Sequence, residues 1–236
     1  MVVKEVNVAG RQFKIHLDMN DATSQPVIFQ TGRWEPRITA FLLENLKQDM
    51  IFIDVGAAIG WFTIIASSLV GEGGRVIAFE PAPNRFKTLV ENMMLNTDGN
   101  VECVDKAVSS ENGEAYISGE NYPMYLSSSG NGFKINVPID MVTLDSYLKM
   151  RGVEKVDMVK IDVEGSELRV LKGMEQTIRN SGKIKIICEV HLPYLNRYGD
   201  NINRLFEYTQ TMGLSKRRLT GGKTALAPRY LFYKEE

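Results

Sequence analysis

Carboxylates recur along this 236-residue chain at positions that suit a shared crevice. Asp54, Glu80, Asp105, Asp162 with Glu164, and Glu189 just before His191 each close or follow a short apolar run. Such groups can face a cation, grip two vicinal hydroxyls, or take a proton from an acceptor. Any one of them is equally a solvated loop residue. The set is more informative, because the runs read as strands of one sheet, and open α/β sheets bind ligands beyond the carboxyl ends of their strands.

The first run leads into Asp54-Val-Gly-Ala-Ala-Ile-Gly60. Gly56 and Gly60 permit a tight turn and a close approach of backbone to a ligand. A helix expected from Trp61 would aim its free N–H groups at the crevice. A dinucleotide loop would read G-x-G-x-x-G, with pyrophosphate on that helix N-terminus. Here the position two after Gly56 is Ala58, and Asp54 puts an anion near where phosphate would lie. That anion suits a cationic ligand, such as one carrying the amino and sulfonium groups of S-adenosylmethionine. Glu80 ends the next strand, and a carboxylate about 20 residues beyond a glycine loop is where a ribose diol is bound. His191 is a candidate general base, because histidine titrates near neutrality. Asp162 and Glu164 stay open between base, cofactor ligand and a carboxylate pair chelating a divalent ion. The sequence shows no third ligand, so no metal is expected. His16 reads as a surface or packing residue.

These residues need elements to position them. Val6, Val8, Phe13, Ile15 and Leu17 alternate about Gly10 and predict an N-terminal hairpin. A polar stretch follows, and Pro36 starts a helix with Ile38, Phe41, Leu42 and Leu46 on one face. Residues 1–48 are expected to cap a main domain over 49–236. Short apolar runs at 50–55, 75–80, 101–105, 156–162 and 184–190 suit strands buried on both faces. Helices are expected from Trp61 to Val70, Asn84 to about Asn96, from Val142, Glu164 to about Asn180, and around Ile202–Thr209. Ala225–Ala227 with Tyr230–Tyr233 suits a closing antiparallel hairpin. Residues 113–140 read as a β insertion that could lie over the site. Strands alternating with helices imply an α/β, Rossmann-like fold with a mostly parallel sheet covered on both faces.

Phe52-Ile-Asp-Val-Gly-Ala-Ala-Ile-Gly-Trp-Phe-Thr63, Val76-Ile-Ala-Phe-Glu-Pro81, Lys160-Ile-Asp-Val-Glu-Gly-Ser-Glu167 and Cys188-Glu-Val-His191 resemble the FkbM family of methyltransferases. The resemblance runs in order from about Glu35 to His191. It implies a seven-stranded class I methyltransferase fold, S-adenosylmethionine as cofactor, and O-methylation of a hydroxyl on a sugar or small natural product. By position it implies that Asp54, Gly56 and Gly60, with Ala58 in the same loop, line the methionine side. Glu80, followed by Pro81, would bind the ribose, and Asp105, Lys106 and Ala107 would flank the adenine. Asp162 and Glu164 would face methyl transfer, and Glu35 would lie near the cofactor. One departure stands out: the family often has Asn where this chain has Ala58.

Composition narrows the rest. Two cysteines, Cys103 and Cys188, and two histidines make a disulfide framework or zinc cluster improbable. A formal net charge of −1 gives no general pull toward nucleic acid. No run reaches the ~18 apolar residues of a membrane helix, and Lys4 and Glu5 interrupt any signal-peptide core. A cytoplasmic location is expected; the oligomeric state is open. Trp34, Trp61, Tyr122, Tyr125 and Tyr194 are candidates to shape an acceptor pocket for a small molecule or saccharide. Two other readings compete: a nicotinamide-dependent oxidoreductase, disfavoured by the glycine pattern, and a non-catalytic module that binds S-adenosylmethionine.

Overall fold

A computed structural model describes residues 1–20, 24–97, 99–118, 125–127, 136–220 and 225–235. The alternating N-terminal segment forms β1 (Val2–Val8) and β2 (Arg11–Leu17), paired antiparallel. Their apolar face is buried and joins the main core. Two helices follow, α1 (Gln25–Thr31) and α2 (Pro36–Asn45). The first was not expected from its polar start; Pro26 supplies the preset φ of a first helical turn.

The core alternates strand and helix: β3 (Ile51–Val55), α3 (Trp61–Val70), β4 (Arg75–Phe79), α4 (Pro83–Asn96) and β5 (Val101–Val104). After an inserted region come α5 (Leu144–Met150), β10 (Met158–Ile161), α6 (Glu167–Lys172), α7 (Glu175–Asn180), β11 (Lys185–Glu189), α8 (Leu192–Leu195) and α9 (Ile202–Thr211). The last strands are β12 (Ser215–Thr220) and β13 (Arg229–Tyr233). One seven-stranded sheet runs β12-β13-β11-β10-β3-β4-β5, with β13 antiparallel to both its neighbours and the inner strands parallel. Successive residues of a strand face opposite sides. Phe52, Val76 and Ala78 accordingly join one apolar layer, and Ile53, Ile77 and Phe79 the other. Both faces are covered, which is why the strands read as continuous apolar runs.

The inserted region makes a second, four-stranded sheet of order β6-β9-β7-β8. Its strands are β6 (Lys106–Val108), β7 (Gly113–Ser118), β8 (Tyr125–Ser127) and β9 (Asn136–Val142).

Two expectations are corrected. The helix expected over Glu164 to Asn180 begins only at Glu167 and breaks at Gly173-Met174. Glu164 and Gly165 have positive φ, and a Cβ on Gly173 would lie 1.9 Å from the Ser109 carbonyl oxygen. The closing hairpin pairs β13 with Ser215–Thr220 and not with Ala225–Ala227. Lys216, Arg217 and Arg218 hide that strand from a hydrophobic reading, as charge commonly marks an edge.

Asn92 pins the N-terminal hairpin to the glycine loop. It is fully buried; its Nδ2 donates to Ile59 O at 2.8 Å and its Oδ1 accepts from His16 N at 2.6 Å. Replacing it with alanine leaves a buried carbonyl and a part-buried N–H without this partner, at about 1–3 kcal/mol. Asn92→Ala should therefore lower the denaturant midpoint by that amount with an unchanged slope. A change under a few tenths of a kcal/mol would show that the pin carries no load.

Candidate active site

The glycine loop is built against two strands. The N–H groups of Gly56 and Ala57 both donate to Phe79 O at 2.9 Å, tying the loop to the end of β4. Gly56 has φ +81°, and a Cβ there would meet the Asp162 carbonyl oxygen at 2.0 Å. Only glycine lets the loop lie directly on the end of β10. Ala58 is also left-handed, with φ 51°, and its N–H donates to Glu80 Oε2 at 2.9 Å. Ala82 N donates to Glu80 Oε1 at the same distance. Burial raises the Glu80 pKa, while Arg85 and these two N–H groups oppose the rise.

A cavity opens beside this loop, lined by Gly56, Ala58, Glu80, Pro81, Lys106 and Ala107, and also by Asp162 and Glu164. Four of the expected cofactor residues sit elsewhere. Asp54 is buried beneath the loop, where its Oδ2 accepts from Thr63 Oγ1 at 2.7 Å. Burial raises its pKa, with Lys160 and Thr63 opposing. Gly60 caps α3 and packs against Met93 and Leu89. Asp105 is exposed and faces an adjoining cleft with Pro83, Phe86 and Asp140. Glu35 lies in a second cavity of about 360 Å³, together with Trp34, Glu189, His191, Tyr194 and Arg229. The two cavities share Ala58, Arg85, Asp162 and Glu164. Trp61 is buried and its Nε1 donates to Thr39 Oγ1 at 3.3 Å, so it packs rather than lines the site. Tyr122 and the side chain of Tyr125 lie outside the described residues.

His191 stands among carboxylates brought by two strand ends and the loop after β10. Its Nδ1 donates to Glu167 Oε1 at 2.9 Å, which leaves Nε2 turned toward three others. Those are Glu164 Oε2 at 3.3 Å, Glu189 Oε1 at 3.7 Å and Asp162 Oδ1 at 3.9 Å. Burial lowers the histidine pKa, but the Glu167 hydrogen bond, Asp162 and Glu164 outweigh it and lift the value to about 9. The neutral base expected from an unperturbed histidine is thus an imidazolium at pH 7. Asp162 Oδ2 accepts from Lys160 Nζ at 3.0 Å; burial raises its pKa, and Lys160 more than reverses this. Glu189 Oε2 pairs with Arg229 at 2.8 Å, yet burial with Asp162 and Glu35 nearby still raises its pKa. Arg229 also pairs with Glu35.

Several of these residues escaped the sequence reading. Lys160 and Glu167 stood inside the quoted Lys160–Glu167 segment without a role. Their signal was a charge inside an apolar strand and a third acid within six residues. Arg229 and Thr63 gave none. The fold also brings His191 beside Asp162 and Glu164, three side chains that could hold a metal ion, with one donor atom of each within 4.8 Å of the others.

Known proteins resemble the chain at two levels. Residues 54–213 match the family described as Methyltransferase FkbM domain. The hexuronic acid methyltransferase AglP of Haloferax volcanii is 32% identical over 67% of this chain and 63% of its own length. The 31-O-demethyl-FK506 methyltransferase FkbM of Streptomyces tacrolimicus is 32% identical, over 62% of this chain and 67% of its own. The chain thus spans less than two thirds of AglP. Among solved structures, Aeropyrum pernix fibrillarin with S-adenosyl-L-methionine superposes with a TM-score of 0.54 at 13% identity, over 98% of this chain and 82% of that one. A Bacillus cereus O-methyltransferase reaches 0.54 at 15% identity, over 93% and 84%. At such identities these two structures speak to the fold, an α/β class I methyltransferase sheet.

Strain is concentrated at the junction of the cavities. Five non-glycine residues among those described have positive φ, and three of them, Glu35, Ala58 and Glu164, line the second cavity. A left-handed conformation costs an L-residue about 1–2 kcal/mol, and such strain gathers at functional sites. Ala58→Gly keeps the N–H that Glu80 accepts and removes the penalty. It should raise stability by about 1 kcal/mol, or ~2–4 °C in thermal midpoint for a chain of this size. A lowered midpoint would contradict a strained Ala58.

Proposed function

Because the chain belongs to the FkbM methyltransferase family, whose methyl donor is S-adenosylmethionine, we propose that it O-methylates a hydroxyl of a neutral sugar or small polyhydroxylated natural product. The observation that carries this reading is the meeting of two cavities at Asp162 and Glu164. The cavity at the glycine loop takes the cofactor, and the one beneath His191 takes the acceptor.

The donor cavity has residues that fit the cofactor. Each Glu80 oxygen accepts one backbone N–H, which fixes the carboxylate and leaves lone pairs on both oxygens for a ribose diol. Asp162 and Glu164 put negative charge on the wall of the cavity where a sulfonium would lie. When bound, S-adenosylmethionine supplies an already activated methyl group, so the protein's work is alignment and removal of the acceptor proton. Asp162 is committed to Lys160, and His191 carries a proton at neutral pH. Glu164 borders both cavities and is the proton acceptor of choice, with the His191 imidazolium 3.3 Å away to stabilise its carboxylate.

The walls of the acceptor cavity support the substrate class. Glu35, Asp162, Glu164 and Glu189 line it, set against Arg85, His191 and Arg229, so the charges on the wall nearly balance and its polar groups are left to hydrogen-bond hydroxyls. Trp34 and Tyr194 offer apolar faces for a sugar ring. AglP acts on a hexuronic acid by its name; the cations on this wall are matched by its own carboxylates, which favours an uncharged acceptor.

Two variants separate binding from chemistry. Glu80→Ala should weaken S-adenosylmethionine binding at least tenfold by calorimetry with the fold retained. Glu164→Gln should keep that binding and lower kcat about 10²-fold or more, the usual worth of a general base. Turnover is followed with a labelled methyl donor and a panel of neutral sugars and uronic acids. Full turnover in Glu164→Gln would remove the proton role, and a preference for uronates would remove the substrate class.

A further inference from the structure

We propose that Asp162, Glu164 and His191, with Glu189 as a fourth donor, form a binding site for one divalent first-row metal ion at the junction of the two cavities. The donor atoms of the first three lie within 4.8 Å of one another. Around His191 Nε2 the carboxylate oxygens of Glu164, Glu189 and Asp162 stand at 3.3, 3.7 and 3.9 Å. Hydrogen bonds between nitrogen and oxygen span about 2.7–3.2 Å. Donors around an ion held at about 2.0–2.2 Å are themselves roughly 3–3.6 Å apart. Glu164 stands at the second spacing, and small rotations bring Glu189 and Asp162 into it.

The carboxylates are divided in a way that favours this use. Asp162 gives Oδ2 to Lys160 and turns Oδ1 toward His191. Glu189 gives Oε2 to Arg229 and turns Oε1 toward the same nitrogen. Each therefore satisfies a permanent cation with one oxygen and offers the other. The imidazole is pre-oriented as well: Nδ1 donates to the fully buried Glu167, which leaves Nε2 as the donor to a metal. A carboxylate behind a ligating histidine is the usual outer partner that fixes tautomer and direction. Glu35 lines the same cavity, and its Oε2 is buried without a hydrogen-bond partner among the described residues, so a small shift on ion binding would bring it a coordinated water as donor. Oxygen donors with one imidazole suit Mn²⁺, Fe²⁺ or Zn²⁺ rather than a soft copper(I) site.

This inference rests on the functional reading only for what the ion would do. An ion there would displace the Nε2 proton of His191, bind one oxygen of Glu164 and lower the pKa of a coordinated acceptor hydroxyl, whose proton the second Glu164 oxygen would take.

The test uses the full chain, stripped with chelator and titrated with Mn²⁺ in the absence of acceptor. Calorimetry and electron paramagnetic resonance should give one saturable site per chain, and spin-echo spectra should show nitrogen coupling from one imidazole. Asp162→Asn and His191→Ala should each weaken Mn²⁺ at least tenfold, and Glu167→Gln about 10–100-fold, the usual cost of losing an outer partner. Glu102→Gln, remote on β5, should bind like the parent. No saturable site in the parent, no nitrogen coupling, or unchanged affinity in His191→Ala would overturn the proposal. The parent spectrum decides even if a variant fails to fold. Mn²⁺ binding without methyl transfer would leave this site standing and remove the functional reading; methyl transfer without a saturable site would do the reverse.

Discussion

One buried carboxylate holds the site together. Glu167 Oε1 accepts from the N–H of Gly165 and from Nδ1 of His191, both at 2.9 Å, and its side chain is sealed from solvent. The first bond fixes the left-handed turn that aims Glu164; the second fixes the imidazole that follows β11. Two loops, each strained or free to rotate alone, are thus referenced to a single point at the start of α6. An isolated buried carboxylate is costly, and removing a partner from such a network costs more than the bond was worth. The arrangement is better understood as enforcing geometry than as adding stability.

The same economy governs the wider cluster. Four carboxylates, Asp162, Glu164, Glu167 and Glu189, surround His191, a density that would drive the cavity apart if all were ionised without compensation. Lys160 is sunk in the sheet with its ammonium 4.9 Å above the Phe62 ring, and Asp162 with Asp54 keeps it charged despite burial. Arg229 does the corresponding work for Glu35 and Glu189. The cations come from β10 and β13, so the electrostatic balance of the site is a property of the sheet and is set before any ligand arrives.

The sheet and the cavity at the glycine loop were legible because period, glycine spacing and strand-end acids are local signals. Gly56, Ala58, Glu80, Pro81, Lys106 and Ala107 could be placed together from the sequence, since each lies within a few residues of a strand end. What could not be read depends on contacts distant in sequence. Gly60 looks like its neighbour Gly56 but serves packing against Met93 and Leu89 on α4. Asp105 closes an apolar run as Asp54 does, yet Asp54 lies within β3 while the chain leaves the main sheet at Asp105 and β6 starts a new one. The basic edge strand β12 lacked an apolar pattern. The state of His191 was invisible because histidine alone predicts a neutral imidazole, and only Glu164, Glu167 and Asp162 in three dimensions make it a cation.

The segment matching the family, residues 54–213, contains the whole lining of the cavity at the glycine loop. The far wall of the other cavity comes from beyond that segment on both sides: Gln25, Trp34 and Glu35 before it, Leu226, Ala227 and Arg229 after it. The Glu35–Arg229 pair clasps those two ends across the opening. On the proposed assignment, the acceptor cavity draws on both flanks of the gene while the donor cavity is encoded in its middle. Exchanging the flanks between relatives would then be a route to new acceptors that leaves the donor cavity intact.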